Sequence, residues 1–171
     1  MKRILLFFLI ILCFQAVFSY NQDNNSILLA KNSQINDFEV SEVNGYHLTA
    51  CIIQEGYTYF IRYKIINKLE NNTLVCEKEI ARSDSVISCL KVSKLQDKIL
   101  ISYTKYVESN SQHCVLYGSI IDLQYPELSI ERVISSNLTY KEYSLYVDQN
   151  ANFIFPNQSN STELITLNQN M

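Results

Sequence analysis

Residues 37–66 read DFEVSEVNGYHLTACIIQEGYTYFIRYKII, and this stretch decides the fold class. Asn44 and Gly45 both tolerate positive φ, which a type I′ turn requires at its two central positions. The segments on either side, Asp37–Val43 and Tyr46–Ile53, are rich in strand-forming residues. We therefore predict that they pair as an antiparallel hairpin.

The next segment, Tyr57–Ile66, follows a second tight connection at Glu55-Gly56 and alternates between two faces. Because successive side chains of a strand point to opposite faces, this alternation predicts a half-buried strand. The buried face is predicted to hold Tyr57, Tyr59, Ile61, Tyr63 and Ile65, and the solvent face Thr58, Arg62 and Lys64.

The rest of the chain extends this pattern. Segments rich in Ile, Val, Tyr, Phe and Thr recur, Gly and Pro occur only 3 and 2 times, and no window carries a sustained helical stripe with capping signals. An all-β fold of antiparallel strands is therefore predicted.

A repeat of about 52 residues becomes visible when the chain is compared with itself. The sequence Val40-Ser-Glu-Val43 matches Val92-Ser-Lys-Leu95, and each is followed by three further strand-like segments. The predicted units, each a four-stranded meander, cover residues 37–82, 84–136 and, in part, 138–171. Ser26–Ala30 is predicted to be the last strand of a preceding unit.

A four-stranded meander that recurs every 40 to 55 residues resembles the blade of β-propellers, in particular the divergent blades of secreted and cell-surface proteins. The resemblance covers residues 26–171 and implies propeller-like blades, in an incomplete set, or blades that are completed by assembly. It carries over no functional residues. The alternative fold is a two-sheet β-sandwich, for which about 150 residues is an ordinary size.

The first nineteen residues, MKRILLFFLIILCFQAVFS, predict the destination of the protein. Lys2-Arg3, an apolar run and the small residue Ser19 are the pattern of a secretory signal peptide, with cleavage before Tyr20. The mature chain, residues 20–171, is then a secreted or extracellular β-repeat domain with no membrane span. An uncleaved N-terminal segment that tethers the protein to a membrane is the alternative.

Charge and length narrow the classes of partner. The net charge is −3, and it becomes −5 when Lys2 and Arg3 leave with the signal peptide. The charges form no basic stripe, so we expect no nucleic-acid partner. The expected partner is an extracellular protein or a glycan, and assembly into a homo-oligomer is also consistent with the incomplete repeat.

The mature chain keeps four cysteines in an oxidising compartment, which predicts disulfides, with all three pairings left open. These cysteines are Cys51, Cys76, Cys89 and Cys114. Their spacings contain no close pair of the kind that zinc sites use, so no metal or cofactor is predicted. Asn-x-Ser/Thr sequons predict glycan acceptors at Asn24, Asn71, Asn137, Asn157 and Asn160.

Residues with catalytic potential are scattered along the chain. His113 precedes Cys114 and His47 lies in a predicted strand; both are predicted to be structural. Carboxylates occur at turns and strand ends, where acids are usually solvated, and they are Glu55, Asp84, Asp97, Asp122 and Asp148. Among the aromatic residues, Tyr125 and Tyr140 are predicted to lie in loops, where they can reach a partner.

These patterns favour one functional class. Because no catalytic motif accompanies the repeat, we predict a non-enzymatic secreted or cell-surface module that serves as an interaction or structural protein. The alternative is a secreted carbohydrate-binding protein or a glycoside hydrolase-like enzyme. That alternative requires two carboxylates about 5 to 10 Å apart in one cleft, or an aromatic platform at a loop end.

Overall fold

The computed structural model describes residues 33–107, 113–139, 142–156 and 162–167. They form eleven β-strands and two short 3-10 turns, Lys68–Glu70 and Pro126–Leu128, and no α-helix. The strands are β1 (Gln34–Val43), β2 (Tyr46–Glu55), β3 (Thr58–Asn67), β4 (Thr73–Ser83), β5 (Ile87–Leu95), β6 (Lys98–Tyr106), β7 (Cys114–Ile121), β8 (Glu131–Leu138), β9 (Ser144–Val147), β10 (Ala151–Pro156) and β11 (Thr162–Leu167). The all-β prediction is confirmed.

The strands form three antiparallel sheets that follow one another along the chain. Sheet A contains β1 to β4 in chain order, sheet B contains β5 to β8, and sheet C contains β9 to β11. Each strand pairs with the next through a hairpin, which is a meander. No closed propeller is formed by the described residues.

The first two sheets place the repeated sequence at equivalent positions. Val43 ends β1 and pairs with Tyr46, the first residue of β2. Leu95 ends β5 and pairs with Lys98, the first residue of β6. The first of these hairpins turns through Asn44 and Gly45 with φ of 52° and 82°, as a type I′ turn requires.

The sheets pack face to face in chain order, with sheet B in the middle. One apolar core joins sheets A and B and contains Leu48, Ile52, Ile61 and Tyr103. A second core joins sheets B and C and contains Leu100, Leu116, Phe153 and Phe155. Because neighbouring β6 residues enter different cores, sheet B is buried on both faces, and its sequence is apolar without alternation.

The prediction for the face of Tyr57–Ile66 is wrong in two places. Tyr57 precedes β3 and is 90% exposed, whereas Lys64 is only 6% exposed. Lys64 lies on the face of sheet A that points away from sheet B, and its neighbours there, Phe60 and Ile66, are also buried. The guanidinium group of Arg82 lies 4.7 Å from the centre of the Phe60 ring. This second face therefore combines buried apolar side chains with charged ones and is not the solvated face that alternation predicted.

Both ends of the stack expose large apolar side chains. On β1, at the free face of sheet A, Phe38 is 65% exposed and Val40 46%. At the free face of sheet C, Tyr146 is 60% exposed and Leu164 61%. Each described terminal sheet thus presents unpartnered apolar side chains to its surroundings.

Candidate functional site

The predicted carboxylates do not converge on one cleft. At one end of sheet A, Glu55 accepts a hydrogen bond from the Ser33 hydroxyl at 3.1 Å. Asp84 accepts one from Thr58 at 2.8 Å. Both acids thus fix the ends of strands, which is a structural use of a carboxylate in a turn.

The other acids also serve turns. Asp122 Oδ1 accepts the backbone N–H of Gln124 at 2.9 Å. Asp148 Oδ1 accepts the backbone N–H of Asn150 at 2.7 Å. Asp97 is exposed in the β5–β6 turn. Within the described ranges no three His, Cys, Asp or Glu residues lie close enough together to hold a metal ion.

The two histidines are separated from each other and differ in exposure. His47 is half-buried on β2, where it pairs with Glu42 of β1, and its enclosed Nδ1 has no hydrogen-bond partner among the described residues. Glu42 forms an ion pair with Lys68 at 2.6 Å, and this lysine lowers the pKa of the carboxyl group. His113 is exposed just before β7, whereas the adjacent Cys114 is buried.

No disulfide joins any two of these four cysteines in the described residues, so the structure does not form the predicted disulfides. Cys51 and Cys76 flank β3 on strands β2 and β4, and Cys89 and Cys114 flank β6 in the same way. Strands two positions apart in a sheet are about 9.6 Å from each other, whereas bridged cysteines have Cα atoms within about 7 Å. Burial raises the pKa of the Cys51 thiol to about 11.

Of the predicted glycan acceptors, Asn71 is the one whose side chain is described. It lies exposed in the turn between β3 and β4, with a φ of 56°, so an attached glycan would point into solvent. Asn137 lies on β8. Asn24, Asn157 and Asn160, like Ser26–Ala30 and Tyr140, lie outside the described residues.

A polar cluster that was not predicted from the sequence joins β3 and β4 of sheet A to the loop before β8. The buried Tyr63 hydroxyl donates to the Pro126 carbonyl oxygen at 2.5 Å and lies 3.0 Å from the Ser129 hydroxyl. Lys78 donates to the carbonyl oxygens of Glu127 and Ser129 at 2.7 and 3.0 Å. Burial raises the pKa of Tyr63. Since these donors are used by backbone carbonyls, the cluster fixes the loop to sheet A.

An open groove with a volume of about 110 Å³ lies on the other side of sheet B, beside sheet C. Its lining is apolar apart from one guanidinium group and contains Gly118, Ile120, Leu128, Ile130, Arg132, Ile134 and Leu167. Alternate residues of an extended chain point to the same face, which explains why Ile130, directly before β8, shares the groove with Arg132 and Ile134 of β8. No carboxylate belongs to this described lining.

The groove exists because sheet C, as described, is one strand narrower than sheets A and B. In the layer between sheets A and B, residues 126–129 cover β3 and β4, the last two strands of sheet A. In the layer between sheets B and C, the described part of sheet C ends at β11, and β7 and β8 of sheet B are not fully covered there. The sequence predicts that the last unit, residues 138–171, is only partial, but it does not predict that the gap is an apolar groove.

Two exposed residues make the groove accessible from solvent. Leu128 is 66% exposed and Ile130 is 65% exposed, although both line it. The outer edge of β11 is unpaired among the described residues, and Leu167 at the end of β11 lines the groove. An unpaired strand edge next to apolar pockets is the arrangement by which proteins bind an extended peptide as an added strand.

Comparisons with protein-family models, curated proteins and solved structures give no match for this chain. No helix of the described residues has the length and apolar character that crossing a membrane requires.

Proposed function

We propose that this protein is a non-enzymatic secreted or cell-surface β-repeat module that binds a protein partner through the groove beside β11. The observation that carries the proposal is the combination of an apolar groove with an unpaired strand edge. An extended segment would pair its backbone with β11 and place every second side chain in the groove.

We also infer that sheets A, B and C are propeller-like blades. Their first strands, β1, β5 and β9, lie next to one another, while β4 and β8 lie at the outer edges of their sheets. Blades arranged around a centre place their strands in this order. Sheets arranged in this way present strand edges and sheet faces to a partner and do not enclose a reaction site.

The chemistry of the groove supports binding over catalysis. A glycoside hydrolase needs two carboxylates on either side of the scissile bond. Glu131, whose pKa is raised by burial, neighbours Arg132 in sequence but points to the opposite face of β8, toward sheet A. The groove lining offers apolar side chains and Arg132, a set suited to an apolar strand that carries an acceptor group.

The test is selection of peptides from a random library on the secreted chain, immobilised sparsely so that copies stay apart. We expect the selected peptides to alternate apolar and polar residues and to lose binding to Ile130→Glu. Val133→Glu is the matched control, because Val133 lies on β8 outside the groove lining and is 54% exposed.

The contradicting result would come from a glycan array. Tyr125, next to the Pro126–Leu128 turn, is 57% exposed and offers a ring for sugar stacking. If the chain selects no peptide but binds a glycan, and Tyr125→Ala abolishes that binding while Ile130→Glu does not, then the carbohydrate-binding alternative replaces the proposal.

A further inference from the structure

The open edge of sheet C has a matching segment in the same sequence. In sheets A and B a fourth strand directly precedes the first strand of the next sheet. Three residues, 84–86, separate β4 from β5. Three residues, 31–33, also separate Ser26–Ala30 from β1, and this segment is apolar at Ile27, Leu28 and Leu29. By spacing and composition, Ser26–Ala30, which lies outside the described residues, matches the sequence pattern of a fourth strand that precedes sheet A.

The segment cannot complete sheet C of its own chain. Sheets A and C lie on opposite faces of sheet B, because the two cores that join them to it are different. Face-to-face sheets pack about 10 Å apart, so sheets A and C are about 20 Å apart. From Ala30 to Gln34 the chain can extend at most about 14 Å. If Ser26–Ala30 supplies the fourth strand of a sheet C, that sheet C therefore belongs to another copy of the chain.

We propose that Ser26–Ala30 of a second copy of this chain binds along β11 and fills the groove lined by Gly118, Ile120, Leu128, Ile130 and Ile134. The contact is head to tail, because the start of one copy meets the last described sheet of the next. It also brings the free face of sheet A, with Phe38 and Val40, against the free face of sheet C, with Tyr146 and Leu164. Both exposed apolar faces are thereby covered.

The arrangement repeats a contact already present within one chain. In the intrachain case, residues 126–129 cover β3 and β4 of sheet A. In the proposed contact, Ser26–Ala30 of the second copy covers β7 and β8 of sheet B. A head-to-tail contact of this kind generates a ring if the rotation closes and an open array if it does not.

The inference rests on the proposed function, since it names the occupant of the same groove. Its experiment measures assembly of the secreted full chain by light scattering. It compares two variants, one defective only in the segment and one defective only in the groove. The segment variant carries Ile27→Asp and Leu29→Asp. The groove variant carries Ile130→Glu, whose exposed position allows the substitution without disturbing either core.

We expect the wild-type chain and the Val133→Glu control to form a discrete species of two or more copies, and each defective variant to be a monomer. Mixing the two variants should restore a species of two copies, because one intact segment then meets one intact groove. Circular dichroism checks that each variant is folded, and Leu128→Glu replaces Ile130→Glu if the latter is not.

Several outcomes would overturn the inference. A monomeric wild-type chain, assembly that survives either defect, or a mixture that stays monomeric each contradicts it. Library peptides that bind the groove of a chain that never assembles would overturn the inference and leave the proposed function in place. Peptides that fail to bind while the two-variant mixture assembles would restrict the partner to the copy itself.

Discussion

At the scale of single residues, two buried tyrosines use their hydroxyl groups differently. Tyr63 and Tyr103 are both 0% exposed. The Tyr63 hydroxyl hydrogen-bonds to Pro126 and Ser129, whereas the Tyr103 hydroxyl has no hydrogen-bond partner among the described residues. A satisfied buried hydroxyl stabilises the fold, and an unsatisfied one costs free energy.

Tyr63→Phe should therefore lower the free energy of unfolding by about 1–2 kcal/mol, because the Pro126 carbonyl oxygen loses its donor. Tyr103→Phe should leave the free energy of unfolding unchanged or raise it. Urea denaturation followed by circular dichroism measures both. Equal losses in the two variants would mean that the Pro126 hydrogen bond does not stabilise the fold.

Gly45 and Gly56 give a second residue-scale comparison. Both have positive φ, 82° and 65°, so an alanine at either position is strained by about 1 kcal/mol. At Gly45 an added Cβ would also lie 2.7 Å from the Leu69 side chain, whereas at Gly56 it would meet nothing within 4 Å.

We expect Gly45→Ala to lower the midpoint of urea denaturation more than Gly56→Ala. The difference between the two variants measures the crowding against Leu69, since the backbone strain is common to both. If Leu69→Ala in the Gly45→Ala background did not narrow the difference, the crowding explanation would fail.

Cys51 makes the stability of the fold depend on pH. Its thiol is 1% exposed, and burial raises its pKa from 9.0 to about 11. Because the folded pKa is above the unfolded value, the contribution of Cys51 is fully present below pH 9 and is lost as the pH rises toward 11. This rise in the pKa corresponds to about 3 kcal/mol.

Cys51→Val should flatten the loss of unfolding free energy between pH 9 and 11, because the variant has no thiol to ionise. Urea denaturation at several pH values measures this slope. The same slope in the wild type and the variant would contradict a buried neutral thiol at Cys51.

At the scale of elements, the strands and turns were the predictable part of this protein. Asn44-Gly45 predicts its hairpin because a type I′ turn has a local sequence requirement, and the structure shows that hairpin in register. The repeat likewise predicts that Val43 and Leu95 occupy equivalent positions, because similar local sequences form similar strands. A local pattern predicts a local structure without knowledge of the remaining chain.

The packing partners of each face were not predictable in this way. Lys64 is polar, yet it is buried on the same face as Phe60 and Ile66. The cluster of Tyr63, Lys78 and Ser129 joins residues that are far apart in sequence. The groove depends on how far sheet C extends over sheet B. Such features arise from the stacking of sheets, which alternation along one strand does not encode.

At the scale of the whole molecule, the two cores share sheet B but no residue. Repeat proteins whose units contact only their neighbours respond to a defect locally. Phe153 is completely buried in the core between sheets B and C and contacts Tyr143 there. A substitution of Phe153 therefore tests whether the three sheets unfold together or separately.

Phe153→Ala should cost about 3–5 kcal/mol in the core between sheets B and C, because it leaves a large cavity. We expect hydrogen exchange to accelerate in β9 and β10 while β2 and β3, which line the other core, keep their protection. Tyr146→Ala, on the exposed face of the same sheet, is the control and should change neither when both substitutions are made in the Ile130→Glu background, which is expected to be monomeric. Equal acceleration in all strands would show one cooperative unit, and the three sheets would then depend on one another beyond their nearest neighbours.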